Sequence, residues 1–342
     1  MNRIITSVLI LALLFLAASA CQKETASPPD NNSNNNNWVY NPTPYHLEVP
    51  AFFPVLDIPA DNPMTVQGVQ LGRMLFYDPI LHKDGTHACA SCHIQQFSFS
   101  SDPEVLPHIN LGWSSAFLWN GKVEGSLEDI MLFEVKDFFV TDLGNLEAHP
   151  DYPRLFYEAF GEGGITHERA AKALAQFERT MASGNSKYDQ VLRQEPGVFL
   201  TDEELNGYDL FFTEEGDCFH CHGGILFTDN EFHNNALDAD PEAGQGAITG
   251  SPFDLGRFKT PTLRNIELTA PYMHDGRYAT LEEVVDFYSE GLHTSPTADP
   301  LMKALPQGGK HFTAQEKSAL IAFLKTLTDT SYIANPALSS PF

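Results

Sequence analysis

Two five-residue stretches constrain this chain more than anything else in it: Cys89-Ala90-Ser91-Cys92-His93 and Cys218-Phe219-His220-Cys221-His222, both C-x-x-C-H. In that pattern two thiols add across the vinyl groups of a haem and fix it covalently, while the adjoining histidine turns back to ligate the iron from the proximal side. The spacing lets two sulfurs reach neighbouring pyrrole rings with the imidazole under the metal. A four-cysteine zinc site, a redox dithiol and plain disulfides would use the same thiols, but none of them calls for a histidine after both pairs. The reading is two covalently bound c-type haems, held by Cys89, Cys92 and His93 and by Cys218, Cys221 and His222. A length of 342 residues, 42% of them hydrophobic and 11% aromatic, suffices for two domains with a core each.

The fifth cysteine, Cys21, belongs to the N-terminus. Arg3, an apolar run from Ile4 to Leu16 and the small residues Ala17 to Ala20 read as a secretory signal peptide over residues 1–20, too short for a comfortable membrane span. Ala18-Ser19-Ala20-Cys21 resembles a lipobox that would make Cys21 a lipidated N-terminus; simple cleavage after Ala20 is the alternative, because the first position is Ala rather than the usual Leu. Residues 21–40, rich in Ser, Pro and Asn, read as a disordered tether. The expectation is a periplasmic lipoprotein that meets the membrane only through its anchor. With 45 acidic and 20 basic side chains, a net charge of −25, it lacks the basic footprint of a nucleic-acid binder, and a basic redox partner would be steered to it.

Helices are signalled at 65–77, where apolar residues fall at helical spacing, and at 166–181, where Ala170, Leu174, Phe177 and Met181 make one stripe that Gly184 can end. Capping boxes at Thr201 with Glu204, Thr280 with Glu283 and Thr313 with Glu316 open three more. Strand alternation is absent. The fold expected is mainly α, two cytochrome c-like haem domains over residues 41–190 and 191–342.

The segments LGRMLFYDPILHKDGTHACASCH (71–93), FLWNGKVEGSLED (117–129), FERTMASGNSKYD (177–189) and FKTPTLRNIELTAPYMHDGRYATLEEVVDFY (258–288) resemble the bacterial di-haem cytochrome c peroxidases, in the broader family that includes MauG. The resemblance implies an N-terminal peroxidatic haem, a C-terminal electron-transfer haem and a tryptophan between them, which Trp119 in its F-x-W-N-G context matches. Fourteen residues after His274, where the peroxidases carry a methionine ligand and MauG-like members a tyrosine, stands Tyr288. It is read as the sixth ligand of the second iron, with a core tyrosine as the plain alternative and Met273 and Met302 as other candidates. His108 is either the distal ligand of the first haem or an exposed loop histidine.

The chain departs from the family where a glutamine and an acid/base glutamate are expected, because those positions become Ile130 and Val140. Glu134, Asp137 and Asp142 are the nearby carboxylates that could substitute, although each also reads as an ordinary surface residue. The resemblance further implies a calcium ion held by the carbonyls of Thr269 and Pro271, with Glu104 replacing a missing asparagine. It implies a homodimer as well. Two functions follow: reduction of hydrogen peroxide with electrons from a small cytochrome c or cupredoxin, or, as in MauG, peroxide-driven oxidation of a side chain such as Trp on a secreted protein. A plain di-haem electron carrier ranks last, since two convincing sixth ligands are not evident.

Overall fold

The computed structural model describes residues 37–101 and 105–342. The signal peptide, Cys21, most of the tether and Glu104 lie outside these residues. The principal helices are α1 (Val66–Tyr77), α2 (Leu127–Phe133), α3 (His167–Glu178), α4 (Asp202–Phe211), α5 (Leu281–Glu290) and α6 (Ala314–Lys325). Strand pairing among the described residues consists of two short antiparallel ladders, β1 (Ala116–Phe117) with β2 (Val123–Glu124) and β3 (Phe232–His233) with β4 (Phe258–Lys259), and three isolated bridges.

Local chemistry sets the helix starts. Thr65 caps α1 by accepting from Gly68 N–H, and α4, α5 and α6 open on the three expected capping boxes. A fourth start, Ser126 with Asp129, opens α2 and runs directly into a single π-helical stretch, Glu134–Phe138. The helix expected to reach Met181 stops at Glu178, well before Gly184.

The two halves are built on one plan. In the first, α1 crosses α3 so closely that a Cβ on Gly72 would stand 1.9 Å from the Ala173 carbonyl oxygen; in the second, α4 crosses α6 and a Cβ on Gly207 would stand 1.9 Å from that of Ala319. Four residues beyond each carbonyl, Phe177 and Phe323 fill their cores with no exposed surface. The repeat extends into the loops. Asn110 and Asn265 both adopt the left-handed conformation, at φ 58° and 57°, which Asn tolerates better than most residues. Their N–H groups donate to Met181 O and Leu327 O (3.0 and 3.1 Å), and their Oδ1 atoms accept from Ser183 N and Asp329 N (2.9 and 2.6 Å).

The chain does not divide cleanly, however. After α6 it returns to the first half, where Tyr332 and Leu338 are buried in the first core. Arg73 donates to Ser339 O and Pro336 O (2.6 and 2.7 Å), Tyr77 to Leu338 O (2.6 Å) and Gln95 to Asn335 O (2.9 Å).

Candidate haem sites

Each C-x-x-C-H motif sits on a short helix, Cys89–Cys92 and Phe219–His222, and none of the four cysteines is in a disulfide. Among the described residues no group of metal-capable side chains contains two cysteines, which removes the four-thiolate zinc reading. Burial pushes the Cys218 and Cys221 thiols up to about 12 and that of Cys89 well above its ordinary value, the reverse of a reactive dithiol.

Both histidines are held in the same way. His93 Nδ1–H donates to Phe99 O (2.8 Å) and His222 Nδ1–H to Phe227 O (3.2 Å). A carbonyl can only accept, so the proton is fixed on Nδ1 and the Nε2 lone pair is left for a metal. Burial pushes the pKa of both rings down, keeping them neutral and ligand-ready. Paired thiols and an oriented neutral imidazole, twice over, are the donor set a c-type haem requires.

The second half forms most of the wall of a cavity of about 1840 Å³, open solvent at its mouth included, and Ser100, Val105, Leu106, Pro107 and Trp119 of the first half complete it. Cys218, Cys221 and His222 line it together with Tyr288, Met273 and Met302. Leu281, Val284, Val285 and Tyr288 present one face of α5 to this space, so Tyr288 is a cavity-wall residue and not a core one. Its hydroxyl oxygen accepts from Asn235 Nδ2 (3.2 Å), which also lies 3.7 Å from Met273 Sδ, and burial pushes the phenol up to about 12.

Trp119 follows β1 out of the first half and lines the same cavity. Its carbonyl accepts from Lys259 N–H (2.8 Å), while its Nε1 is buried with no partner among the protein atoms. An orphaned indole donor in this wall fits a site shaped around a group with acceptor atoms. Lys259, donating to Asn230 Oδ1 (2.7 Å), stands on the same wall, and burial pushes its pKa down to about 8.

Around the first motif the candidates separate. Glu134, at the start of the π-helical stretch, is half-buried, and burial pushes its carboxyl up to about 7, with the Glu178 charge adding to the rise and His108 opposing it. Asp137 is exposed, and Asp142 caps the helix Leu143–Ala148 by accepting from Gly144 N–H (2.9 Å). The family's glutamine position, Ile130, is core, and its glutamate position, Val140, is 52% exposed.

His108 was expected as the distal ligand of the first haem or as an exposed loop histidine. Its side chain is only 15% exposed, so it is not a solvated loop residue. Its ring lies on that of His93, centroids 3.5 Å apart and planes 30° from parallel. Imidazoles on opposite faces of one metal, each bonded at about 2 Å, have ring centres roughly 6 Å apart; as placed, His108 does not face His93 across an iron. It donates from Nδ1 to Glu178 Oε1 (2.9 Å). Sequence reasoning missed Glu178, although a lone carboxylate four residues after Leu174, on the apolar stripe of α3, was a legible signal. Asn235 and Lys259 gave none.

Two other clusters are already satisfied. Both ring nitrogens of His233, beside Cys221, are taken by Asp299 and Asp229 (2.7 and 2.8 Å), and Lys303 Nζ lies among Glu214, Asp217 and His220. Thr269 and Pro271 line the second cavity, while Glu104, their expected companion at calcium, lies outside the described residues.

A mainly helical chain with two such motifs, each proximal histidine set by a backbone carbonyl, is a di-haem c-type oxidoreductase. A family model described as di-haem cytochrome c peroxidase matches residues 66–197. The chain is 32% identical over 290 residues to the methylamine utilization protein MauG of Methylorubrum extorquens, covering 79% of this chain and 80% of that one. It is 31% identical over 300 residues to the cytochrome c551 peroxidase of Nitrosomonas europaea, covering 80% and 84%. Among solved structures, a MauG-like protein associated with microbial copper homeostasis superposes with a TM-score of 0.79 at 35% identity, over 87% of this chain and 99% of that one. The chain belongs to the di-haem cytochrome c peroxidase family that includes MauG. It is an oxidoreductase of the peroxidase type with two covalently bound c-type haems.

Proposed function

We propose that this chain uses hydrogen peroxide to oxidise a side chain of a secreted partner protein, drawing electrons through the second haem site and Trp119. Bound at the two motifs, the haems supply the peroxide-reactive and electron-storing centres. The observation that carries this reading is Tyr288, whose hydroxyl stands in the wall of the cavity that His222 also lines, so that both would be available to hold the second haem. A phenolate ligand favours oxidised iron, whereas a thioether raises the potential. The 35% identity to a MauG-like structure across 99% of its length supports the same reading.

The protein's own groups divide the work. His93 and His222 present Nε2 to the metals, with the Phe99 and Phe227 carbonyls holding their orientation. Glu134 holds a proton near neutral pH and is the acid available at the first site. Trp119, an oxidisable indole carried from the first half into the second cavity, is the relay. Export and anchoring through Cys21 place the chain where a secreted substrate would be met.

Glu134 also favours a second reading, turnover of peroxide with electrons from a small cytochrome c or cupredoxin, since a positioned acid serves repeated peroxide cleavage. One experiment separates the two. The diferric holoprotein is mixed with one equivalent of peroxide and its absorption is followed without a donor. A spectral change lasting minutes, shortened in Tyr288→Met, supports protein oxidation; recovery within the mixing time, with steady peroxide consumption only when a reduced donor is added, supports the donor-dependent peroxidase.

A further inference from the structure

The repeated plan allows the two sites to be compared residue by residue, and they differ behind the proximal histidine. In each half the carbonyl that accepts from the histidine also accepts a backbone N–H two residues before the left-handed asparagine: His108 N to Phe99 O (3.3 Å) and Leu263 N to Phe227 O (3.2 Å). His108 and Leu263 are therefore equivalent positions. On the helices, Phe177 and Phe323 are equivalent through the glycine crossings, which makes Glu178 the counterpart of Leu324. In the second half this pair of positions is Leu263 and Leu324, both on the cavity wall. In the first half it is a histidine hydrogen-bonded to a carboxylate at 2.9 Å.

The exchange is costly unless it serves the site. Glu178 has no exposed side-chain surface, and its Oε2 has no partner among the protein atoms. Two leucines satisfy the same packing in the second half with no polar group to desolvate. What the polar pair adds is position and charge: the His108 ring lies 3.5 Å from the His93 ring, and the carboxylate behind it fixes that stack.

We infer that His108 and Glu178 are positioning residues for the first haem, a proximal pair that holds the His93 imidazole and places a buried carboxylate close enough to favour the oxidised iron, so that the two haems differ in potential. A buried anion near a metal centre stabilises its higher charge state, because the interaction is weakly screened there. His108 acts through His93 and not as a ligand.

The test is a spectroelectrochemical titration of the holoprotein and three variants, with a pyridine haemochrome assay confirming two haems per chain in each. Glu178→Gln keeps the shape and removes the charge. His108→Leu with Glu178→Leu installs the leucines that the second half carries, so its packing has a precedent in this chain. His108→Leu alone tests ligation. In the first two, the midpoint potential of the first haem rises while that of the second stays put and the unfolding midpoint changes little. Unchanged potentials in Glu178→Gln, or equal movement of both haems, would overturn the inference. So would loss of a low-spin ferric signal in His108→Leu, which would make His108 an iron ligand.

Discussion

On the proposed reading, Glu134 is the side chain that supplies a proton at the first site. A carboxyl raised to about 7 keeps its proton below that pH and loses it above. Acid assistance therefore fades as pH rises through about 7, and the rate of the first reaction with peroxide, measured by stopped flow, falls in step. Glu134→Gln cannot give up a proton; it should slow that reaction by about 10²–10⁴-fold and flatten the profile. Asp137→Asn, altering an exposed carboxylate, should leave both unchanged. Glu134 was a candidate from sequence because Ile130 and Val140 are apolar where the family has polar groups, but the π-helical stretch in which it stands has no local sequence signal. The surroundings of His108 were hidden from the sequence for a related reason. Its spacing from His93 suits a ligand, and only the long-range hydrogen bonds to Phe99 O and Glu178 show which side of His93 it occupies.

Among the elements, the helix crossings carry the repeat. Alanine at Gly72 would drive a Cβ into a backbone carbonyl that cannot move without its helix, as the 1.9 Å approach to Ala173 O shows. Gly72→Ala should cost at least about 1–3 kcal/mol, read as a lower denaturant midpoint for the first half. Phe323→Ala, which empties a core position surrounded by Tyr188, Tyr208, Phe211 and Phe227, should cost about 3–5 kcal/mol. The helix starts were legible because a capping box is confined to four residues, and the boxes at Thr201, Thr280 and Thr313 form as read. Crossings were not, since nothing local in the sequence tells a glycine that admits another helix from one that turns a loop. The equivalence of Asn110 with Asn265 is hidden likewise, because unequal insertions separate the repeated parts.

For the molecule as a whole, the return of the C-terminus ties the halves together. Removing residues 334–342 deletes Leu338 from the first core and the carbonyls that Arg73, Tyr77 and Gln95 use. Thermal unfolding followed at both haems should then show the first site lost at lower temperature while the second holds. The net charge of −25 bears on encounter: association with a basic partner should slow as ionic strength rises. On the proposed reading, two haem sites on one plan are unequal, the first left open to peroxide and the second closed by Tyr288. Low-temperature electron paramagnetic resonance of the diferric holoprotein tests it most directly. One high-spin and one low-spin ferric signal are expected, with Tyr288→Phe abolishing the low-spin signal alone. Two low-spin signals in the parent protein, or a low-spin signal untouched by Tyr288→Phe, would contradict it.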